Sequence, residues 1–441
     1  MANPFQTRNR LFRWLMISLL PVFIPLAVVL RVVLRAIKPW VHVRFFRWSS
    51  CSLGIWAIPT EVYLCERDAG LHPKKSFDLF YRYDQNAYGL KFSVRRQSAV
   101  CNKQLDRMFR SRVRFWQGAQ FLDYLNRLMP DGGKEFNGVM PQPYDSQGVL
   151  HRFPAHLGFT EREHRVGQAA LRKMGIPPGA PFVCFHIRDK GYYLRWRRGL
   201  EFFFYGDRQW LDVRDSSIEN YMPALERLTK LGYFCVRMGK YVSEPLKTEN
   251  PRIIDYASRY HSDFLDVYLS AHCAFFIGHN SGMTTLPIIF RRPMAFVNIA
   301  PFSEIVYCGC KESVFMPKKY YSKRWTRYLT FPEIFSNPIL FRFFIPKCSD
   351  FPEIRDGLQL EIHENSAEEI DQLVLEMHER LQGKWKPSEE DEALQREFLT
   401  LVESYSRVLD SLRDLRTLKM ASYFLKVNRE LLKEAQQECT V

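Results

Sequence analysis

The stretch that decides the fold is Phe182-Val183-Cys184-Phe185-His186-Ile187-Arg188-Asp189. Its short apolar run is followed at once by charged residues, and Gly191 comes soon after. This pattern is typical of a buried strand in a parallel sheet whose carboxyl end is a loop. Ligands of open α/β sheets bind at such carboxyl ends. We therefore expect residues 186–189 to border a ligand site.

The same alternation of strand and helix signals continues over residues 181–298. Asp215-Ser216-Ser217 supplies helix-capping side chains, and Gly232 ends the helix that follows. Further strands are predicted at 233–236, 252–254, 274–277 and 294–297, with helices at 263–271 and 283–290. Strands that alternate with helices at this spacing predict a doubly wound parallel sheet.

A fainter α/β pattern precedes this unit, from about residue 41 to residue 154. It predicts strands at 61–65 and 77–81 and helices at 102–112 and 116–129. A helix predicted over 160–174, with the Gly/Pro-rich breaker after it, places the domain boundary there. Beyond residue 302 the strand signal fades, so Lys318-Lys319-Tyr320-Tyr321 is interpreted as a solvated face. A strand is predicted at 358–362, and long helices from residue 366 onward.

Three strand ends of the second unit carry groups that suit a phosphate-bearing ligand. Arg188 follows one strand, Arg237 follows the next, and Gly278-His279-Asn280-Ser281-Gly282 joins a third strand to a helix. Guanidinium groups bind diphosphates at two points, and backbone N–H groups at a helix start attract anions. The predicted phosphate or sugar contacts are Arg188, Arg237, Gly278, Asn280, Ser281 and Gly282. Ion pairing of Arg188 with Asp189 or Asp266 is the structural alternative.

The remaining candidates are carboxylates and one histidine. Asp255 and Asp266 lie beside the last strand pair and are predicted to hold ribose or sugar hydroxyls, or to lock Arg188. Asp263 is predicted to be either a helix N-cap or a ligand contact, and the N-cap role has at least equal weight. A general base would come from Asp189, His186 or the first domain, and the residues do not choose among these.

No metal or bound cofactor is predicted. The 10 cysteines are scattered, several within apolar strands, so we expect reduced buried thiols. Cys308-Gly309-Cys310 has no second pair to complete a zinc site, and no Asp-x-Asp follows a strand. Residues 192–214 form an insertion rich in arginine and aromatic residues, for which a lid or acceptor-binding role is predicted.

The N-terminal region indicates a membrane surface. Residues 14–30 are uncharged and apolar, Arg31 and Arg35 follow, and no Asp or Glu occurs before Glu61. A straight helix of this length would extend about 25 Å, which is short for a hydrocarbon core of about 30 Å. We predict a monotopic or re-entrant anchor on the cytoplasmic face; a single span is the second interpretation. The net charge of +15 also suits nucleic acid, but no nucleic-acid motif accompanies it, so no such partner is predicted.

The chain resembles a bacterial family of glycosyltransferases of surface-polysaccharide loci. The resemblance rests on residues 183–189, 215–221, 233–239 and 275–282. It covers residues 160–302 and extends more loosely to Lys318-Lys319 and the C-terminal helices. More distantly, His186-Ile187-Arg188 is similar to the His-x-Arg motif of the fucosyltransferase group with the GT-B fold. In that group the motif's arginine binds the donor diphosphate, which implies the same for Arg188. Asp189 stands where many fucosyltransferases have a second arginine.

The resemblance implies two Rossmann-like domains in a GT-B-like arrangement, with the donor held by the second. The expected division is a membrane segment at 1–40, an acceptor domain at 41–159, a nucleotide-sugar domain at 160–345 and a helical extension at 346–441 that returns to the first domain. The predicted function is metal-independent transfer of a sugar from a nucleotide-sugar to a lipid-linked or polysaccharide acceptor. The predicted location is the cytoplasmic face of the bacterial inner membrane. A nucleotide-sugar epimerase and a non-enzymatic glycan-binding module are the alternatives.

Overall fold

The computed structural model describes residues 18–83, 100–142, 145, 147–189, 191, 213–308, 312–342, 351–405 and 418–434. The chain divides into two compact units. The first comprises Met1–Asp145 and Ala155–Gly158, and the second comprises Ser146–Pro154 and Phe159–Val441.

The first unit is built on a parallel sheet with the strand order β3-β2-β1-β4. The strands are β1 His42–Trp48, β2 Ser76–Arg82, β3 Arg114–Phe115 and β4 Asn137–Gly138. The helices are α1 Leu20–Ile37, α2 Ala57–Asp68, α3 Lys103–Arg110 and α4 Ala119–Arg127, with a 3₁₀ helix at Lys134–Phe136. The sheet is doubly wound, since β2 and β4 lie on opposite sides of β1. The predicted α/β class of this unit is confirmed.

Two details of this unit differ from the sequence prediction. The strand predicted at 61–65 is wrong, because these residues belong to helix α2. Nine consecutive residues of α2 are buried, and a buried helix without a polar face cannot be distinguished from a buried strand by periodicity. Strand β1 was not predicted because Arg44 and Arg47 interrupt its apolar run. Both guanidinium groups are paired inside the unit, with Asp78 at 2.7 Å and Asp123 at 3.3 Å.

Helix α1 is attached to the first unit along one side only. Its buried residues are Ala27, Arg31 and Leu34. The Arg31 guanidinium pairs with Asp131 at 2.5 Å and with Glu135 at 3.0 Å. The opposite side exposes large apolar side chains: Val22, Ile24, Leu26, Val28, Val29, Val32 and Val33. The helix is 18 residues long and is the single described helix long and apolar enough to cross a membrane.

The second unit contains a six-stranded parallel sheet in the order β10-β9-β8-β5-β6-β7. Its strands are β5 Phe182–Phe185, β6 Phe234–Arg237, β7 Ile253–Ile254, β8 Phe276–Gly278, β9 Met294–Ile299 and β10 Val314–Pro317. The connecting helices are α5 Glu161–Lys173, α6 Met222–Lys230, α7 Tyr256–Arg259, α8 Asp263–His272 and α9 Thr285–Ile289, with 3₁₀ helices at Ile218–Tyr221 and Phe302–Tyr307. The predicted doubly wound sheet is confirmed.

A small antiparallel sheet and further helices follow. Strands β11 Lys319–Ser322, β12 Arg327–Tyr328 and β13 Leu360–His363 pair in the order β12-β11-β13. The helices are α10 Phe331–Ser336, α11 Pro338–Arg342, α12 Phe351–Leu358, α13 Ala367–Leu381, α14 Glu389–Ser404 and α15 Ser422–Val427, with a 3₁₀ helix at Arg429–Leu432. The interpretation of residues 318–321 as a solvated face is wrong. Lys318 and Tyr320 are 4% and 1% exposed, because this segment leads from one sheet into the other.

A buried carboxylate in the first unit provides a test of this packing. Asp123 is fully buried and accepts hydrogen bonds from Tyr81, Arg47 and Arg127. We expect Asp123→Ala to lower the free energy of unfolding by about 3–5 kcal/mol, since two guanidinium groups lose their partner. Chemical denaturation measures the change.

The matched control is Glu392→Ala, which removes a carboxylate whose pair with Arg396 lies on the surface. Side chains 56% and 68% exposed gain little from such a pair, so we expect a change below about 0.5 kcal/mol. Equal effects of the two substitutions would contradict the assignment of Asp123 to a buried network.

Candidate functional site

The order of the strands in the second unit defines one position suited to a ligand. Strands β6 and β8 both neighbour β5, on opposite sides of it. The connections on the two sides of β5 are therefore expected on opposite faces of the sheet, with a ligand crevice between the carboxyl ends of β5 and β8. The segment 186–189 follows β5 and the segment 279–282 follows β8. Two of the three predicted strand ends thus lie at the switch point of the sheet.

Arg188 is held at two points, through its backbone N–H and through its guanidinium group. Its backbone N–H donates to Nε2 of His279 at 2.9 Å, which joins the loops after β5 and β8. Its guanidinium Nε lies 3.4 Å from Asp215 Oδ1, and the residue is 9% exposed. The observed carboxylate partner is therefore Asp215, not the predicted Asp189 or Asp266.

His279 is fully buried, and burial lowers the pKa of its imidazole well below the ordinary value. The ring is therefore neutral, with Nε2 as the acceptor and the proton on Nδ1. Sequence reasoning named the loop of His279 but gave this residue no role. Its position between Gly278 and Asn280 carried no signal for a contact with the Arg188 backbone.

His186 is half-buried beside this contact. Its Nδ1 lies 3.2 Å from the Ser281 hydroxyl, and its ring centroid lies 5.4 Å from that of His279. Burial, helped by Arg188 and Arg237, lowers the pKa of His186 to about 4. A histidine with this pKa is neutral at pH 7 and is a weak proton acceptor. This makes it a poorer general base than its sequence position indicated.

Arg237 and Asp189 lie in a network within the protein. Arg237 is 5% exposed; its Nη1 donates to the Glu244 carbonyl at 2.9 Å, and its guanidinium lies 3.7 Å from Asp189 and 3.8 Å from Asp255. Asp189 also accepts from the backbone N–H and hydroxyl of Ser243, at 2.9 and 2.8 Å. These contacts hold the loop after β6 against the loop after β5. Phosphate binding by Arg237 and base catalysis by Asp189 stay predictions.

The predicted sugar-binding carboxylates also have partners inside the unit. Asp255 caps helix α7 through Ser258 and accepts from the Leu246 N–H at 2.9 Å. Asp266 accepts from the Tyr256 hydroxyl at 2.9 Å and lies 3.1 Å from His261 Nε2. The N-cap role predicted for Asp263 is wrong, because Ser262 caps α8 and Asp263 is its first residue.

The polar loop after β8 is held by short-range hydrogen bonds. Gly278 ends the strand, and a Cβ there would lie 2.6 Å from Thr284 Cγ2, so the position has no room for a side chain. Asn280 is 6% exposed and donates to the Ala300 carbonyl at 2.8 Å. The Gly282 carbonyl accepts from the Thr285 hydroxyl at 2.6 Å. Helix α9, which begins there, has only 5 residues, so its dipole offers less to an anion than the predicted helix 283–290.

Two titratable residues at the same sheet edge were missed by sequence reasoning. Glu304 follows β9, and burial raises the pKa of its carboxyl to about 7, although Arg214 and a hydrogen bond from Asn280 oppose the shift. Lys318 follows β10, and burial lowers the pKa of its ammonium to about 8. Its Nζ donates to the Asp215 carbonyl at 2.7 Å. The available signal was weak: Lys318 directly follows an apolar strand, whereas Glu304 lies five positions after one.

Asn298 positions the segment that carries Asp215. Its φ of 57° is left-handed, which asparagine tolerates better than most residues. Asn298 and Asn365 exchange hydrogen bonds from backbone N–H to side-chain oxygen, at 2.8 and 2.6 Å. The Asn298 amide also donates to the Ser216 hydroxyl at 3.1 Å. The residue next to Asp215 is thereby tied to the end of β9.

The arrangement therefore gathers cations and one proton-exchanging group at a single sheet edge. Arg188 and Lys318 converge on Asp215, the first through its side chain and the second through its carbonyl. Glu304 reaches the same neighbourhood through Asn280. Cations in this setting bind phosphate oxygens, and a carboxyl with a pKa near 7 can exchange a proton at neutral pH. The predicted lid lies outside the described residues, except for positions 213 and 214.

Comparison with solved structures finds distant structural relatives, and three glycosyltransferases are among them. The chain is similar to the ADP-heptose lipopolysaccharide heptosyltransferase II of E. coli, with 13% identity and a TM-score of 0.36 over 62% of this chain and 90% of that one. It is similar to a glycosyltransferase of family 9 from Veillonella parvula, with 12% identity and a TM-score of 0.36 over 63% and 86% of the two chains. The iron-containing dodecameric glycosyltransferase TibC of enterotoxigenic E. coli gives 13% identity and a TM-score of 0.28 over 62% and 64%.

No family model matches the chain, and no curated protein matches it. Similarity at these TM-scores assigns no activity and no substrate. The similarity to the fucosyltransferase group, noted at His186-Ile187-Arg188, stays a prediction. So does the absence of a catalytic metal.

The raised pKa of Glu304 predicts a pH-dependent stability. Between its ordinary pKa of 4.5 and the folded value of about 7, the native protein binds more protons at this carboxyl than the unfolded chain. The free energy of unfolding should therefore fall as the pH rises through this window, by up to about 3 kcal/mol. Glu304→Gln should remove this part of the pH dependence.

Thermal unfolding midpoints at about pH 5 and about pH 8, for both proteins, measure the effect. The exposed Glu392→Gln serves as the control and should leave the pH dependence of the wild type unchanged. If Glu304→Gln also leaves it unchanged, the carboxyl titrates at its ordinary pKa and is not a candidate base.

Proposed function

We propose that the chain is a glycosyltransferase that takes its sugar from a nucleotide-sugar donor. The observation that carries the proposal is the convergence of Arg188 and Lys318 on Asp215 at the switch point of a doubly wound sheet. Nucleotide ligands bind at such switch points, and a departing diphosphate needs positive charge near its oxygens. The resemblance of residues 183–189 to glycosyltransferases of surface-polysaccharide loci agrees with this chemistry.

Each residue of the site receives a role in this proposal. Arg188 binds the diphosphate at two points, and Lys318 adds a point charge. Asn280 and Ser281 contact phosphate or sugar oxygens from the loop after β8. His279 and Arg237 are positioning residues, since His279 holds the Arg188 backbone and Arg237 holds Asp189. With a pKa of about 8, Lys318 is still mostly protonated at pH 7, and a bound diphosphate would favour its charged form further.

Glu304 is the proposed proton acceptor of the transfer step. Its pKa of about 7 matches a group that must lose and regain a proton near neutral pH. His186, with its low pKa, and Asp189, which accepts several hydrogen bonds, suit this role less well. The acceptor hydroxyl would transfer its proton to Glu304 as its oxygen attacks the anomeric carbon and the nucleoside diphosphate leaves.

The donor site is tested by Arg188→Lys. We choose lysine because alanine would leave Asp215 without its guanidinium partner and would lower stability as well as binding. Lysine keeps the charge but loses the planar fork, so we expect the affinity for a nucleoside diphosphate to fall about 10- to 100-fold. Calorimetry with ADP, GDP and UDP measures this.

Arg227→Lys is the matched control. Arg227 belongs to the same unit and pairs with Asp371 at 2.5 Å, between helices α6 and α13. It should leave nucleotide affinity unchanged. Undiminished binding by Arg188→Lys would exclude the assigned role of Arg188, and the absence of binding by the wild type to any nucleotide would favour a glycan-binding module.

Product analysis separates transfer from epimerisation. We expect the wild type to convert a nucleotide-sugar only when a lipid-linked or polysaccharide acceptor is present, with release of the nucleoside diphosphate. Conversion of the donor alone into an epimer would instead establish an epimerase. ADP-heptose belongs in the donor panel, together with GDP- and UDP-sugars.

We further propose that helix α1 holds the protein on a membrane surface, at the cytoplasmic face of the bacterial inner membrane. The exposed valines of α1 form an apolar surface that water solvates poorly, and the surrounding arginines suit anionic lipid. The ion pairs of Arg31 with Asp131 and Glu135 favour a helix lying in the interface over a helix that spans the bilayer. A spanning helix would have to break both pairs.

The double substitution Val29→Glu and Val32→Glu tests this anchor. Both side chains are 61% exposed, so the folded unit should tolerate the change, while two carboxylates should weaken partition into vesicles of anionic lipid at least about 10-fold. The control is Val139→Glu with Val166→Glu, two exposed valines outside α1. Equal vesicle binding by the two variants, or release of the wild type by alkaline carbonate, would exclude the anchor.

A further inference from the structure

A second polar cluster lies in the first unit, between helix α2 and the segment 155–158. Glu61 and Cys65 are one helical turn apart on α2, and both are fully buried. His156 reaches them from the other segment, with Nδ1 2.9 Å from Glu61 Oε1 and a hydrogen bond between its ring and the Cys65 thiol. Donor atoms of the three side chains lie within 4.8 Å of one another.

We infer that Glu61, Cys65 and His156 form a binding site for a divalent transition-metal ion of the zinc type. A thiolate, an imidazole nitrogen and a carboxylate oxygen are the three donor types that zinc takes from proteins. Bond lengths of about 2.0–2.3 Å place the donors of one ion about 3–4 Å apart, which small side-chain rotations reach from the observed spacing. Three protein donors leave a fourth position for water.

The surroundings of His156 support a ligand role. Its second ring nitrogen, Nε2, lies 3.0 Å from Asp68 Oδ2. Histidine ligands of metals commonly donate their other N–H to a carboxylate, which fixes the tautomer and orients the ring. Asp68 lies on the same helix α2, so one helix supplies two donors and the partner of the third.

A plain ion pair explains only part of this cluster. It would need Glu61 and His156, and hydrogen bonds to Cys65 and Glu61 do raise the pKa of His156 to about 10. It gives no reason for a fully buried thiol one turn from a fully buried carboxylate, both facing the same imidazole. A second group, His261 with Asp263 and Asp266, is weaker, because Tyr256 and Lys240 already engage its carboxylates.

The site does not depend on the proposed sugar transfer, because it shares no residue with the cluster around Arg188. The sequence prediction of no metal was based on spacing motifs, which this set lacks. Its residues are separated by 3 and 90 intervening positions, so only the fold brings them together.

Cobalt(II) is the probe for the experiment, since it takes the same ligands as zinc and absorbs light. The full chain, purified in detergent without a histidine tag and treated with chelator, is titrated with Co²⁺. We expect one ion per chain, with a thiolate-to-cobalt charge-transfer absorption that added Zn²⁺ removes. Cys65→Ser should lose this absorption and bind the ion at least about 100-fold more weakly. Cys51→Ser is the matched control and should behave as the wild type.

Two outcomes would overturn the inference. One is a charge-transfer absorption that persists in Cys65→Ser. The other is a wild type that binds no stoichiometric ion, in which case the cluster is only an ion pair of a protonated His156. Thermal unfolding of the metal-free variants shows whether Cys65→Ser is folded. If Cys65→Ser is unfolded, Asp68→Asn serves as the test variant. This change affects only the carboxylate that holds the His156 ring, and it should lower the affinity for the ion about 10- to 100-fold. Unchanged affinity in folded Asp68→Asn would likewise contradict the site.

Discussion

The hydrogen bond from the Arg188 backbone to His279 is the contact on which the candidate site depends. It joins the two loops that flank the switch point, and it requires His279 to be neutral, because a protonated ring could not accept. Complete burial supplies that condition by lowering the pKa of His279. The backbone of Arg188 is therefore held by a buried contact and not by contacts at the solvent-exposed surface.

Around this contact the unit keeps several charges out of water, which is costly unless they are paired. Arg188 and Arg237 lie against Asp215, Asp189 and Asp255 at 3.4–3.8 Å, longer than the 2.5–2.7 Å of the Arg227–Asp371 pair. Apolar side chains at these positions would stabilise the fold at least as well. Stability alone therefore does not explain this charged cluster, whereas the proposed diphosphate would be a further partner for its cations.

The sequence predicted the second sheet and the place of Arg188 well, because buried parallel strands are continuous apolar runs and their ends are marked by charge. It failed where tertiary burial overrides that signal. Helix α2 has no polar face, so Glu61 was read as part of a strand, and β1 carries arginines that are paired only in the folded unit. Glu304 and Lys318 were missed because their perturbed pKa values arise from burial, which no local pattern encodes. The partners of Asp255 and Asp266 were invisible for the same reason.

Arg31 and Arg188 show why position, and not pairing, carries the functional assignment. Both are more than nine-tenths buried and both are paired with carboxylates of their own unit. Arg31 lies in the middle of helix α1. Its ion pairs at 2.5 and 3.0 Å attach α1 to the rest of the first unit, and this structural role explains its burial. Arg188 lies at a switch point, with a longer pair and a second cation, Lys318, drawn to the same aspartate. The second setting fits the proposed donor, because a diphosphate has the charge and the geometry to bind both cations.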